Sequence, residues 1–425
     1  MARLALLAAL LAATAVPVAA QTPDADVARI RASAGFKAAV AGLDAGHDAF
    51  VDEIIELTEI PAPPFKEEVR ARAMAEKFRA AGLKDVTIDA EGNVLGLRPG
   101  TDAKAKLVAI AAHLDTVFPE GTPVKVKREG TRLAAPGVGD DTRGLAALLA
   151  FVRAMDAGKI ATRAPILFVA NVGEEGRGDL RGVRYLFTKG PMKDRIGAFF
   201  SVDGGGASHV TTGGVGSKRY RVTFKGPGGH SYGAFGIVNP MAAMAGAVSA
   251  LYKVEVPAKP RTTFAASVVG GGTSVNAIPD QVYVDVDMRS ESAESLATLE
   301  KRFLTIVNEA VDAENAARST RVGKVSADPE VIGDRPAGAT PADAALVRST
   351  AAAIKAFGLT PAFGASSTDA NLPMSLGIPA VTIGSGGTGG RGHSVDEWID
   401  VAKPDSLQGL SVGLLALVAA AGVAK

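Results

Sequence analysis

The sequence predicts an α/β protein: a doubly wound, mainly parallel sheet interrupted by a smaller ferredoxin-like α+β unit. Three observations predict it. Apolar strands such as Leu107 to Ala112 and Pro165 to Val172 are separated by a helical stretch, and continuous apolar runs of this kind mark interior strands joined by right-handed crossovers. From about Ser217 the texture changes to strands with one wet face and two intervening helices, in the order β-α-β-β-α-β. A chain of 425 residues also exceeds what one core usually organises. The expected division is a leader over 1–20, a catalytic-type domain over 21–216 and 329–425, and an inserted domain over 217–328.

The elements follow in order. Helical spacing runs from Asp24 to Thr58 and stops at Pro61-Ala62-Pro63-Pro64, where proline forbids continuation. His47 falls between two helical pieces and reads as a solvated loop residue. A helix over Lys66 to Ala81 ends at Gly82, followed by a hairpin of Val86 to Ile88 and Val94 to Leu97. After the strand 107–112 come a buried helix from Thr142, the strand at 165–172 and another at 196–202. The insert supplies strands over Arg219 to Phe224, Thr262 to Val269, Gln281 to Met288 and near Thr320 to Val325, with helices over Pro240 to Tyr252 and Ala293 to Ala313. The return leg offers a helix (Ala342 to Phe357), a strand (Ala380 to Ile383) and a closing helix (Leu407 to Ala421).

Residues 1–20 carry one positive charge at Arg3, a short apolar run and small residues at Val18 and Ala20, the pattern of a secretory leader cleaved before Gln21. An exported, periplasmic or secreted, protein is expected. Without the leader, 45 basic residues face 45 acidic ones. A balanced charge gives no reason to expect nucleic acid or an anionic membrane as partner. No cysteine is present, which removes thiolate from the available metal ligands and leaves imidazole and carboxylate. Only His47, His113, His209, His230 and His393 supply imidazole.

Chemistry-bearing residues cluster where apolar strands end, the place where open α/β sheets bind ligands. His113-Leu114-Asp115 closes the first strand. Alternation lets His113 and Asp115 point into one crevice, either as a metal ligand with an orienting carboxylate or as a buried histidine satisfied by an aspartate. Asp140-Asp141 follow a glycine-rich turn. Glu174-Glu175 stand directly past the strand 165–172, where ionised carboxylates are costly unless paired or metal-bound. Asp203 closes the third strand. His393 returns from the glycine loop Gly384 to Gly392, whereas His209 has no carboxylate partner in sequence. Two imidazoles and four carboxylates are too many for one closed zinc site and suit two cations bridged by a carboxylate, roughly 3.5 to 4 Å apart. Sulfur-free ligation suits zinc, with cobalt or manganese as chemically compatible substitutes.

HLDT, GDDTRG, GEEG, VDGG, GPGGHS and GHS, in this order and spacing, resemble the co-catalytic zinc metallopeptidase family of aminoacylase, peptidase T, carnosinase and glutamate carboxypeptidase, over nearly the whole mature chain. The resemblance implies that His113 and His393 hold one metal each, that Asp140 bridges them, and that Glu175 joins His393 while Asp203 joins His113. It implies Glu174 as general base, Asp115 as the residue orienting His113, and a cis bond between Asp140 and Asp141. The insert then corresponds to a lid and dimerisation domain, with a homodimer expected and His230 reaching into the partner's site to stabilise an oxyanion. Asn276 and Arg289 correspond to substrate-binding positions, although Arg289 reads equally as a structural ion-pair partner. Thr142 and Arg143, where the family has another residue and a lysine, predict altered packing without loss of metal.

The reading these residues support is an exported di-zinc exopeptidase acting on short peptides, aminopeptidase or dipeptidase-like, with cleavage at the amino-terminal side implied by the resemblance, whose aminopeptidase and dipeptidase members carry aspartate where Asp203 stands. Two alternatives stand beside it: an N-acyl-amino-acid amidohydrolase or carboxypeptidase using the same chemistry, and a catalytically silent peptide-binding protein. The intact ligand set and Glu174 argue against the last.

Overall fold

The computed structural model describes residues 23–424; the leader predicted over 1–20 lies outside them. Leu107–His113 sits at the middle of a nine-stranded sheet because every residue in it is buried. It pairs in parallel with Ile166–Asn171 on one side and Ile196–Val202 on the other. Ala380–Ile383 continues the parallel run beside Ile196–Val202. The hairpin Lys84–Ile88 and Val94–Arg98 forms one antiparallel edge, and His209–Gly214 begins the other. In the register His113 lies opposite Asn171 and Val202 opposite Ile383, so the chemistry-bearing residues that follow these strands emerge at one end of the sheet.

Strand alternation divides the interior into two cores. Val108, Ile110 and Ala112 face the larger one, which holds the helices Ala34–Ala45, His47–Thr58, Thr142–Ala157 and Lys403–Ala421. Leu107, Ala109 and Ala111 face a smaller one under Arg181–Thr188 and Asn371–Ser375. Helices on both faces confirm the doubly wound expectation. Among the described residues only Lys403–Ala421 is long and apolar enough to cross a membrane, and it is an interior helix here, with Leu414, Leu415 and Leu417 fully buried.

Two local expectations are corrected. His47 is not in a solvated loop: it opens the helix His47–Thr58 and is 7% exposed, because it shares the buried stripe of Phe50, Val51 and Ile54 at helical spacing. The last lid strand spans Ser326–Arg335 instead of lying near Thr320 to Val325, so the boundary drawn at 328/329 cuts through it. That strand is an edge strand with a largely exposed pattern and a proline at 329, so it lacks the alternation by which a half-buried strand is recognised.

The insert is ferredoxin-like, with antiparallel strands in the order Thr262–Gly271, Gln281–Ser290, Gly216–Lys225 and Ser326–Arg335. Val282, Val284, Val286 and Met288 point inward beneath the helices Pro240–Leu251 and Ala293–Ala317. Asp285, Asp287 and Arg289 alternate onto the opposite, helix-free face.

A candidate dinuclear metal centre

The site is assembled from strand ends and two loops. The Asp140-Asp141 peptide bond is cis. Asp141 stands at the N-cap position of the helix Thr142–Ala157 without a side-chain capping bond, and its Oδ2 instead accepts the backbone N–H of His113 at 3.1 Å. Gly144 is required one turn later: a Cβ there would meet the Asp141 carboxylate and come within 2.6 Å of the Val202 carbonyl oxygen. Asp140 is thereby left facing the cavity. Its Oδ1 lies 2.9 Å from His113 Nε2, and its Oδ2 lies 3.1 Å from His393 Nε2. His393 also stands 2.8 Å from Glu175 Oε1. One carboxylate therefore touches both imidazoles, one oxygen to each.

The donor set fits a cation. Ligand atoms of His113, Asp140 and Glu175 lie within 4.8 Å of one another. His113 Nε2 and Asp140 Oδ1 are buried, face each other and have no hydrogen-bond partner. Burial alone would raise the Asp140 carboxyl, but the imidazoles of His113 and His393 outweigh it and hold it well below the usual range. Burial and then the charge of Asp140 push Asp203 up to about 7. Burial likewise raises Glu174 well above its ordinary value, against the pull of Arg335. Negative charge packed this densely around two imidazoles is the environment that divalent cations stabilise.

Each predicted residue has a place. Asp203 and Glu174 line the same 480 Å³ cavity as Asp140, Glu175 and His393. Asp115 is buried, and its carboxylate oxygens accept the backbone N–H groups of Glu174 (3.0 Å) and Glu175 (2.8 Å). His113 Nδ1 instead meets the Asp115 backbone carbonyl at 3.0 Å, with the carboxylate at 3.7 Å. Arg289 reaches the cavity, where its Nε donates to Asp287 at 2.7 Å. His230 and Asn276 do not line that cavity: His230 sits on an exposed lid ribbon in which the Asn276 carbonyl accepts the N–H of Ser231 at 2.9 Å.

Sequence reasoning missed three positions. Glu397, four residues past His393 and 2% exposed, accepts the N–H groups of Gly137 (2.8 Å), Gly139 (2.7 Å) and Asp140 (2.9 Å), tying the two metal-site loops together. Arg335, the last residue of the lid's edge strand, donates to Glu174 Oε1 at 3.0 Å and to its backbone carbonyl. Asp369 accepts from Asn171, the register neighbour of His113 on the adjacent strand, at 2.7 Å. Only the HSVDE spacing after His393 was a local signal. Arg143 is buried and donates to the Asp400 carbonyl (2.9 Å) and Ser406 (3.0 Å), so the change from the family's pattern is absorbed in packing behind the site.

The sequence profile of peptidase family M20/M25/M40 matches residues 109–419, a span that includes His113, Asp140, Glu174, Glu175, Asp203 and His393. The chain belongs to this family. It is accordingly a metal-dependent hydrolase of the M20 type. Solved M20 structures share the fold. A PepT aminopeptidase from Bacillus cereus is similar at 21% identity and a TM-score of 0.70, over 88% of this chain and 99% of that one. The Saccharomyces cerevisiae di-peptidase Dug1p is similar at 17% and 0.71, over 92% and 99%. A dinuclear metal-binding M20 peptidase from Bacillus subtilis is similar at 15% and 0.64, over 88% and 98%. A search of curated proteins found no match.

Proposed function

We propose that this M20 protein is an exported, dinuclear zinc exopeptidase that cleaves short peptides from the amino-terminal side. The observation that carries the chemistry is the single carboxylate of Asp140 set between His113 and His393. His113 and Asp203 would hold one cation and His393 and Glu175 the other, with Asp140 between them. Bound there, zinc would supply Lewis acidity toward a scissile carbonyl and toward water. Glu174, beside Glu175 and free of the His–Asp contacts, takes the proton from the attacking water and returns it to the departing amine. Arg335 holds one Glu174 oxygen and leaves the other for that exchange.

Asp115 stabilises the Glu174–Glu175 turn through both backbone amides. The exposed ribbon carrying His230 and Asn276 fits delivery of an oxyanion-stabilising imidazole to a second copy across a lid-mediated homodimer. Arg289, which lines the cavity with its Nε held by Asp287, would grip a substrate carboxylate with its remaining N–H groups. The leader pattern of residues 1–20 supports export to the periplasm or beyond.

Zinc-reconstituted protein is assayed on a dipeptide, its amino-acetylated form and its carboxyl-amidated form. Cleavage of the free form and refusal of the acetylated form are expected, with the amidated form cut more slowly because Arg289 then has no carboxylate to grip. Turnover of only the acetylated form moves the assignment to an N-acyl-amino-acid amidohydrolase, turnover of the free and acetylated forms with loss on amidation moves it to a carboxypeptidase, and no turnover at all moves it to a peptide-binding protein.

A further inference from the structure

A second cavity of about 840 Å³ opens beside the catalytic one and shares Val117, Glu175 and Gly176 with it. Its walls come from both domains. Pro63, Pro64, Phe65 and Pro119 line the catalytic-domain side, and Val331 and Ile332 of the lid's edge strand line the other. Two large apolar side chains stand open in it, Phe65 at 55% and Val331 at 51% exposure. Phe65 holds φ +66, a left-handed conformation that bulky residues rarely adopt and that concentrates at functional sites. Its ring lies 5.4 Å from the Arg181 guanidinium, which Glu67 (2.8 Å) and Glu91 (2.9 Å) fix from behind. On the lid side the strand register shifts between Val331 and Gly333, a bulge of the kind that re-aims side chains next to active sites.

We infer that this cavity is the specificity pocket for a large apolar side chain, aromatic or long aliphatic, on the substrate residue adjoining the scissile bond, with Phe65 and Val331 as its selecting walls. The inference rests on the peptidase reading for the identity of the substrate. Continuity decides the occupant: a residue whose carbonyl lies among Glu174, Glu175 and His393 can extend its side chain past Val117 into the cavity without leaving the cleft. Of the charged residues lining it, Lys66 is paired with Glu120, Asp179 with Arg184 and Asp334 with Lys218, while Arg177 and Glu330 are exposed and keep their charges in water. A large side chain entering such walls is worth roughly 10- to 200-fold in discrimination over glycine.

The test compares kcat/KM of zinc-loaded wild type, Phe65→Ala and Val331→Asn on Gly-Gly, Phe-Gly, Leu-Gly, Gly-Phe and Gly-Leu, after circular dichroism has established that each variant is folded. Expected is a preference of at least about tenfold for Phe and Leu at one of the two positions, with that ratio falling about five- to tenfold in both variants. A wild-type ratio near one at both positions, or a ratio unchanged in both variants, overturns the proposal. If no dipeptide is cleaved, the peptidase reading fails on its own. The pocket is then judged by calorimetric Kd values for the same peptides, where equal binding of glycine and phenylalanine peptides overturns it. Protection of Phe65 by a second copy of the chain, read as a concentration-dependent loss of the preference, also overturns it.

Discussion

Glu397 is a carboxylate spent entirely on geometry, since three backbone N–H groups from the Asp140 loop converge on it while its own backbone follows His393. Glu397→Gln replaces one acceptor oxygen with a donor facing those same N–H groups. Metal affinity, read by chelator competition, is expected to fall roughly 10- to 100-fold. Glu174→Gln tests the base: kcat drops by roughly 10²- to 10⁴-fold while metal content stays at the wild-type level. His47 gives a pH signature remote from the site. Burial, then the nearby Lys403 charge, lowers its pKa below 6.5, so the folded protein resists protonating it while the unfolded chain does not. Its contribution is present above 6.5 and is lost as pH falls through that value toward the lowered one. Urea unfolding at pH 8 and 5.5 should show less loss of stability on acidification in His47→Phe than in wild type.

At the scale of elements, the buried strands and the helix after Asp141 are legible in sequence because burial on both faces writes long apolar runs. The elements that escape are those whose residues are half exposed. His209–Gly214 has no apolar run, and Ser326–Arg335 carries proline and acids on an edge. The lid's end and the catalytic return were therefore misplaced, and with them Arg335, whose contact with Glu174 comes from the strand's final position. The start of the helix Thr142–Ala157 carries its own prediction. Gly144→Ala puts a methyl group against the Asp141 carboxylate and the Val202 carbonyl, and is expected to cost about 1–3 kcal/mol in thermal or urea unfolding. Unchanged stability would mean that this close approach relaxes freely.

For the whole molecule, cations held by the candidate ligands would join what the chain separates, since His113, Asp140, Glu175, Asp203 and His393 come from five different strand ends and loops. Chelator dialysis is expected to abolish turnover and lower stability by about 3 kcal/mol relative to protein at a hundredfold excess of metal over Kd, measured by calorimetry. If His230 acts across a dimer, inactive Glu174→Gln and inactive His230→Ala proteins regain about a quarter of the wild-type activity when unfolded and refolded together, because half the random pairs are mixed and each mixed pair has one complete site.

The sequence by itself determined the donor types, the strand ends that carry them, the two-part architecture and the membership of an M20-like motif set, because periodicity and end-of-strand position are local properties. The motif resemblance already set Asp140 between His113 and His393; tertiary structure alone decided that the Asp115 carboxylate serves the Glu174 and Glu175 amides while its backbone carbonyl meets the imidazole, and that Glu397 ties the two loops. Those distances arise from crossovers and from loop conformations such as the left-handed φ of His393. They are set by the packing of remote segments, which no local pattern of residues encodes.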